Sequence, residues 1–499
     1  MLPPPRSDLK ANTLEYECLP LVKPTGFREY DARWLYEKEI NLYGVQALGL
    51  GLGTYIQRRG VKPHIVTGHD YRSYSMAIKQ ALTVGLMAAG CTVYDIGLAL
   101  SPMAYFAQFA VDVPAVAMVT ASHNDNGWTG VKMGCDRPLT FGPDEMLALK
   151  EIVLGGSWET RSGGGLVHVD GIGERYLAAL NRDGRIVRPL KVVVACGNGT
   201  AGAFAPQLIA SLGCEVVPLD CDLDYTFPHY NPNPEDLKML HAIAEKVRDS
   251  GADVGFGFDG DGDRCGVVDN EGNEIFADKV GVMLARDMST LNPGAQFVVD
   301  VKSTGLFATD PVLKANGAVT DYWKTGHSYM KRRTNELGAI AGFEKSGHFF
   351  LRPPFGLGYD DGLASAVAVL RMLDRAKGKS LAELYRALPT TWASPTMAPH
   401  CPDEKKYGVV ERVIAHFSKL FESGGRLAGQ TIAGIVTVNG IRITLGDGTW
   451  GLVRASSNKP ELVVVCESPV SEAQMRAMFH EIDSHLRLYP EVGAYNQKI

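Results

Sequence analysis

The chain has no excess of positive charge. It carries 50 Lys and Arg against 56 Asp and Glu, a formal net of −6 over 499 residues. A basic stripe that would neutralise nucleic-acid phosphates is therefore missing. Long apolar runs are missing too: nothing approaches the roughly 18 uninterrupted residues of a membrane-spanning helix. The opening stretch, Met1-Leu-Pro-Pro-Pro-Arg-Ser-Asp8, has no apolar core of the kind a secretory signal needs. Cysteine is sparse and unpatterned. The 9 residues are an odd number, with no Cys-x-x-Cys and no paired histidine spacing, which argues against a disulfide framework or a zinc finger. These absences lead us to expect a cytoplasmic protein with reduced thiols and with neither a nucleic-acid nor a membrane partner.

What the chain does have is an ordinary globular mixture, 45% hydrophobic and 21% charged, and enough length for about three domains, with two to four compatible. Its main organising signal is an internal repeat. Three segments follow one scheme of apolar strand, polar or Gly-bearing turn, helical stretch, glycine and second strand. They run from His64-Ile-Val-Thr-Gly-His-Asp70 to Ala89-Gly-Cys-Thr-Val, from Val192-Val-Val-Ala-Cys-Gly-Asn-Gly199 to Leu212-Gly-Cys-Glu-Val, and from Phe297-Val-Val-Asp-Val-Lys302 to Asn316-Gly-Ala-Val. Apolar runs alternating with helical patterns predict βαβ units in parallel or mixed sheets, with ligands at the carboxyl ends of the strands. The last hundred or so residues differ. Thr431-Ile-Ala-Gly-Ile-Val-Thr-Val-Asn-Gly-Ile-Arg-Ile-Thr-Leu445 alternates and breaks at Asn439-Gly440, a hairpin signal, and the helical Ser471-Glu-Ala-Gln-Met-Arg-Ala-Met-Phe479 follows. The predicted fold class is α/β: three related domains with mixed sheets, then a C-terminal α+β domain with an antiparallel sheet. Composition breaks place the domains at 1–169, 170–276, 277–388 and 389–499.

Four loops carry residues able to do chemistry. In Asp259-Gly-Asp261-Gly-Asp263-Arg264, carboxylates at alternate positions turn toward one point and suit a hard cation. An EF-hand is excluded, since Arg264 and Asn270 stand where Gly and Glu belong. Three carboxylates leave positions open, which favours Mg²⁺ completed by a phosphate oxygen; a solvated acidic turn is the alternative. Thr120-Ala-Ser122-His-Asn124 leaves an apolar run, and a serine there fits a nucleophile or phosphate carrier as well as a plain turn. Gly342-Phe-Glu344-Lys345-Ser346-Gly347-His348 offers a carboxylate, a hydroxyl and an imidazole, groups that either bind vicinal sugar hydroxyls or satisfy one another. Arg454-Ala-Ser456-Ser457-Asn458-Lys459-Pro460 joins a guanidinium to hydroxyls and an amide, a phosphate cradle or a polar hairpin. Together the four loops supply a cation site, a serine, a sugar clamp and a phosphate grip.

These residues resemble the α-D-phosphohexomutase family, in particular its bacterial phosphomannomutase/phosphoglucomutase branch, over nearly the whole chain. The resemblance begins at Phe27-Arg-Glu-Tyr30-Asp-Ala-Arg33 and continues through Ser122, Asp259–Arg264, Asp300-Val-Lys302, Gly326-His327-Ser328, Glu344–His348 and the Arg454 loop. It implies a four-domain fold around a central cleft, carrying in chain order the phosphoserine, metal, sugar and phosphate loops. It implies that Ser122 carries a phosphoryl group and, with Asp259, Asp261 and Asp263, binds Mg²⁺. Lys132, Arg264, His327 and Arg33 fall at catalytic positions. Tyr30, Lys302, Glu344, Ser346 and His348 fall at substrate positions, and Arg454, Ser456, Ser457 and Asn458 would hold the phosphate that is not transferred. The implied activity is reversible conversion of hexose 1-phosphate to hexose 6-phosphate, of mannose or glucose, by a monomer or homodimer. The route is a phosphoserine enzyme and a 1,6-bisphosphate, with glucose 1,6-bisphosphate as activator. The Ser457-Asn458-Lys459 stretch departs from the usual family loop and bears on substrate preference. Phosphoglucosamine mutase and a non-catalytic phosphosugar-binding protein are the alternative readings.

Overall fold

Each of the three repeats folds as two parallel strands joined by helix. Strands His64–His69 and Thr92–Leu98 pair across helix Ser75–Ala88. Lys191–Ala195 and Glu215–Leu219 pair across the short turns Thr200–Ala203 and Ala205–Ser211. Gln296–Asp300 and Val319–Trp323 pair across Leu306–Thr309 and Pro311–Ala315. A strand covered on both faces has no solvent side to keep polar, which is why Val192-Val-Val-Ala195 is apolar without alternation. The structure, a computed structural model, describes residues 10, 13, 19–456 and 459–497. It divides into two units, residues 1–277 with 346–383 and residues 278–345 with 384–499. No helix among the described residues is long and apolar enough to cross a membrane.

The first unit holds two mixed sheets. One runs in the order Ala32–Leu35, Trp128–Gly134, Ala115–Val119, His64–His69, Thr92–Leu98, Gly165–His168; its first two junctions are antiparallel and the rest parallel. The other runs Glu274–Ile275, Cys265–Asp269, Val254–Phe258, Lys191–Ala195, Glu215–Leu219, again antiparallel and then parallel. Helix Leu42–Arg58, capped by the Asn41 side chain on the Gly44 N–H, packs on helix Ser75–Ala88 with almost no space between backbones. A Cβ on Gly49 would lie 2.2 Å from the Leu82 carbonyl, and one on Gly85 would lie 2.0 Å from the Gln46 carbonyl. Glycine is therefore used inside both helices despite its helix penalty of about 1 kcal/mol.

The second unit combines three parallel strands, Val319–Trp323, Gln296–Asp300 and Ala341–Phe343, with a six-stranded antiparallel sheet. That sheet runs Trp392–Ala393, Leu462–Ser468, Trp450–Ala455, Ile441–Leu445, Gln430–Val436, Arg426–Leu427. The break at Asn439-Gly440 is the turn between Gln430–Val436 and Ile441–Leu445, with Gly440 at φ 74. Helices Asp403–Glu422 and Glu472–Leu486 cover one face. Val409, Val413 and Phe417 of the first and Met475, Met478, Ile482 and Leu486 of the second enter that core, each contributing about 1.5–3 kcal/mol through burial.

Among the carboxylates that the second unit buries is Glu467. It accepts from Lys279 Nζ (3.0 Å), Thr391 Oγ1 (3.1 Å), Thr304 Oγ1 (2.9 Å), the Gly305 N–H (2.8 Å) and Trp450 Nε1 (3.1 Å). Burial alone would raise its pKa, but the Lys279 charge and these donors outweigh it and hold the carboxyl at about 2 against an ordinary 4.5. With the native value below the unfolded one, this stabilisation is complete above pH 4.5 and is lost as pH falls through about 2. Glu467→Gln should therefore destabilise the protein by about 3 kcal/mol at neutral pH, since Lys279 loses its buried partner. The difference from wild type should narrow as pH falls below 4.5, as measured by urea unfolding across that range.

Candidate active site

Ser122 leaves strand Ala115–Val119 in a left-handed conformation, φ 51. A non-glycine residue there costs on the order of 1–3 kcal/mol and persists only where its surroundings impose it. The first repeat imposes it. Asp70, at the exit of strand His64–His69, accepts from Thr120 Oγ1 (3.0 Å), the Ala121 N–H (3.2 Å) and Ser75 Oγ (2.5 Å), and it pairs with Arg72. Arg72 Nη2 in turn donates to the carbonyls of Ser122 (2.9 Å) and Asn124 (2.7 Å). The hydroxyl of Ser122 is left pointing at the acidic loop, donating to Asp259 Oδ2 at 2.9 Å, with His123 Nδ1 3.3 Å away.

The acidic loop is wholly buried: Asp259, Asp261 and Asp263 are each 0% exposed, and their oxygens lie within 4.8 Å of one another. Gly260 makes this approach possible, because a Cβ there would sit 2.5 Å from the Ser122 carbonyl oxygen. Gly262 takes φ 71 to turn Asp263 back toward its neighbours. Several elements compensate the charge. Lys132, on strand Trp128–Gly134, places its buried ammonium between Asp261 Oδ2 (2.7 Å) and Asp263. Ser101, opening helix Ser101–Ala110, gives Asp261 both its hydroxyl (2.5 Å) and its N–H (to the carbonyl, 2.9 Å). Burial would lower the Lys132 pKa, but Asp261 and Asp263 overcome it and hold the ammonium charged. Burial and then the neighbouring Asp261 and Asp263 push the Asp259 carboxyl well up. Burial would also raise Asp261, which Lys132 reverses, leaving it low.

Asp261 Oδ1 and Asp263 Oδ1 are buried and accept no hydrogen bond among the described residues. Three converging carboxylates with two such oxygens fit a hard divalent cation bound through oxygen. Repulsion read from the sequence alone predicts that Asp261→Asn leaves stability unchanged or slightly higher; Lys132 overturns that expectation, since Asp261 is one of its two counter-charges.

Arg264 continues the loop. Its Nε donates to His348 Nε2 (2.8 Å), its Nη1 to Glu235 (3.2 Å), and it stands 3.9 Å from Asp259 Oδ2. His348 presents Nδ1 to Asp360 at 3.1 Å and to Asp263 at 3.6 Å. The structure thus gathers His348 with the acidic loop. Arg33 pairs with Asp31 through Nε (2.9 Å), and its Nη1 is a buried donor with no acceptor among the described residues. Arg264, then burial and Arg33, depress the His123 pKa well below its usual value, a mark of positive potential around Ser122. Tyr30 and Ser346 are half-buried in the same unit.

In the second unit Lys302, His327 and Glu344 lie beyond the carboxyl ends of the three parallel strands. Asp300 closes strand Gln296–Asp300 and binds Ser303 Oγ (2.5 Å), Thr325 Oγ1 (2.9 Å) and the Lys345 N–H (3.1 Å), with Lys302 Nζ 3.8 Å away. Glu344 accepts the Gly326 N–H at 3.1 Å, at the head of helix His327–Glu336. Lys302, His327 and Glu344 thereby share one set of strand-exit loops. Arg454 lies on strand Trp450–Ala455, 8% exposed, with Nη1 on the Ala455 carbonyl at 2.9 Å. Ser456 accepts the Lys459 N–H at 3.3 Å. Ser457 and Asn458 lie outside the described residues.

Sequence reasoning did not find Asp70, Arg72, Ser101 or the contact of His123. The available signal was position: Asp70 and Arg72 follow the first strand of the first repeat, where such sheets place their ligands. Lys132→Met should leave the buried carboxylates uncompensated and cost about 3–5 kcal/mol in cation-free buffer. Added Mg²⁺ should raise the melting temperature of the variant more than that of wild type. An equal rise in the two would separate the cation from these carboxylates.

Four models of one family match the chain in sequence. The phosphoglucomutase/phosphomannomutase alpha/beta/alpha domains I, II and III match residues 24–159, 168–272 and 276–392, and the C-terminal domain matches residues 400–485. A phosphomannomutase/phosphoglucomutase of Pseudomonas putida is 34% identical over 467 residues, covering 93% of this chain and 96% of its own. A protein of Methanothermobacter thermautotrophicus described as a probable phosphoglucosamine mutase is 29% identical over 453 residues, covering 90% and 95%. The crystal structure of a phosphoglucomutase/phosphomannomutase family protein from Burkholderia thailandensis matches with a TM-score of 0.84 at 30% identity, covering 94% of this chain and 98% of the other. With all four domains matched and the likeness spanning both chains, this protein belongs to the phosphoglucomutase/phosphomannomutase family.

Proposed function

We propose that this chain interconverts hexose 1-phosphates and hexose 6-phosphates of glucose and mannose, using Ser122 as the phosphoryl carrier. The observation that carries this reading is the Ser122 hydroxyl, 2.9 Å from a carboxylate of a three-aspartate cluster that Lys132 bridges. A serine with only a turn to make has no need of a buried cation site beside it. The four domains at 1–169, 170–276, 277–388 and 389–499 belong to the same proposal, as does a cytoplasmic monomer or homodimer.

In the forward step the bond from phosphorus to Ser122 Oγ breaks as a bond to the sugar hydroxyl forms. His327 takes the hydroxyl proton and returns it in the reverse step. Lys132, kept charged by Asp261 and Asp263, is a charge donor to the transferring phosphoryl rather than a base, and Arg264 and Arg33 add to it. Asp259, Asp261, Asp263 and the Ser122 oxygen would hold Mg²⁺, which supplies neutralisation of the phosphoryl oxygens. Glu344, with Ser346, Lys302, His348 and Tyr30, orients the sugar. Arg454, with Ser456, Ser457 and Asn458, grips the phosphate that stays. The bisphosphate reorients and returns its other phosphoryl group to Ser122, and free glucose 1,6-bisphosphate rephosphorylates a serine that has lost its charge.

A coupled assay comparing glucose 1-phosphate, mannose 1-phosphate and glucosamine 1-phosphate, with a trace of glucose 1,6-bisphosphate, tests the reading. Glucosamine 1-phosphate as the best substrate would overturn the glucose and mannose assignment. Ser122→Ala should abolish turnover, and intact mass should show a phosphate adduct on active wild type that the variant lacks.

Arg454→Lys should raise KM about ten- to a hundred-fold for both the 1-phosphate and the 6-phosphate. It exchanges a planar two-pronged donor for a single point charge and loses a charge-assisted bond of about 1.5–3 kcal/mol. Steady-state kinetics in both directions measure this, and a change for one monophosphate alone would mean that the two do not share the grip.

A further inference from the structure

Away from the serine, two thiols meet at the carboxyl edge of the second sheet. Strands Lys191–Ala195 and Glu215–Leu219 are in register with Ala195 beside Leu219, so Cys196 and Cys221 leave the sheet side by side. Their sulfurs are 3.6 Å apart. Cys196 is buried, whereas Cys221 is only partly buried. Cys221 Sγ also contacts the Val194 carbonyl at 3.1 Å. Burial raises the Cys196 thiol, and the hydrogen bond between the two sulfurs lowers that of Cys221, so the less buried sulfur is the better nucleophile.

The loop that begins at Cys196 leads directly to the cation site. Gly197 and Asn198 both take left-handed conformations, φ 51 and 61. Gly199 packs so closely on Gly260 that a Cβ would lie 3.3 Å from the Gly260 Cα. The Thr200 N–H faces the Gly260 carbonyl at 3.4 Å, and Thr200 Oγ1 accepts the Tyr71 N–H at 3.0 Å. Gly260 stands between Asp259 and Asp261 and against the Ser122 carbonyl.

We infer that Cys196 and Cys221 form a redox-active dithiol whose oxidation to a disulfide disturbs the aspartate loop through Gly199, Thr200 and Gly260. The oxidant is a hydroperoxide. The Cys221 thiolate attacks one peroxide oxygen, the O–O bond breaks, and Cys221 becomes a sulfenic acid as hydroxide leaves and is protonated. Cys196 sulfur then attacks the Cys221 sulfur and expels the oxygen as water. In sum, two thiols and one hydrogen peroxide give one disulfide and two waters. Bonded sulfurs stand about 2.05 Å apart, against 3.6 Å here, and on this proposal their approach shifts the segment that carries Cys196. The 196–200 loop, pinned to Gly260, transmits that movement.

The test uses the full chain, reduced and then titrated with hydrogen peroxide, with remaining thiols alkylated and the digest mapped by mass. The expected result is a cross-linked Cys196–Cys221 peptide, together with Mg²⁺ binding by calorimetry weakened by about tenfold, the scale for disturbing groups that orient metal ligands. Dithiothreitol should restore binding. Cys221→Ser, and Cys196→Ala as a second variant, should bind Mg²⁺ as the reduced protein does and ignore peroxide. Both thiols alkylated after peroxide, or a cross-link with unaltered Mg²⁺ affinity, would overturn the inference. The reduced protein's mutase turnover tests the functional reading separately, so failure of one is not mistaken for failure of the other.

Discussion

Burying three carboxylates on one five-residue turn is the constraint around which the first unit is built. Taking even one ion out of water costs several kcal/mol, and close like charges add to that. The turn survives because distant parts of the chain converge on it and on the adjoining Arg264: an ammonium from a strand, a hydroxyl and an N–H from the head of a helix, and the His348 ring that holds the Arg264 guanidinium. Each group that tempers the charge also fixes an oxygen in place. Two oxygens stay without a donor among the described residues, and the serine hydroxyl meets the third carboxylate. Electrostatic need and catalytic layout are thus the same arrangement.

Much of this was legible from residues close in sequence. Asp259, Asp261 and Asp263 stand at alternate positions separated by glycines, a spacing that lets their carboxylates turn toward one point. The three βαβ repeats are readable because each strand, turn and helix is local, and the hairpin at Asn439-Gly440 for the same reason. What stayed hidden depends on contacts across the fold. Arg72 reaches Ser122 over 50 residues, and Ser101 reaches Asp261 over 160. No local pattern marks either. The hold of Arg264 and Asp360 on the His348 ring is hidden in the same way, since Arg264 and His348 meet over 84 residues.

The left-handed Ser122 belongs to the same hidden class. Nothing in Thr-Ala-Ser-His-Asn announces an unfavourable backbone, and the aspartate and arginine that enforce it sit about 50 residues earlier, at the exit of the first strand of the first repeat. The strain ensures that the hydroxyl leaves the strand in a single direction. In the second unit, strand-exit loops play the equivalent part through Asp300 and Glu344, whose carboxylates spend their lone pairs on backbone and hydroxyl donors of neighbouring loops. Rigid sheets and loops locked by short polar contacts suit chemistry that consists mainly of placing charges.

The segment 346–383 returns to the first unit after the chain has already laid down 278–345 of the second. His348, which holds Arg264, Asp360, which meets the His348 ring, and Gly362, whose N–H meets the Gly262 carbonyl at 3.0 Å, all arrive with it. On the ribosome the acidic turn is therefore synthesised well before the residues that steady it. At about 5–20 residues per second, the gap between residue 277 and residue 383 lasts roughly 5–20 s. During that interval a nascent first unit must carry a cluster of negative charge with only part of its support, and a chain that stops short of residue 383 never receives the rest. Completion of this unit is thus a late event in translation, although most of its sequence is made early.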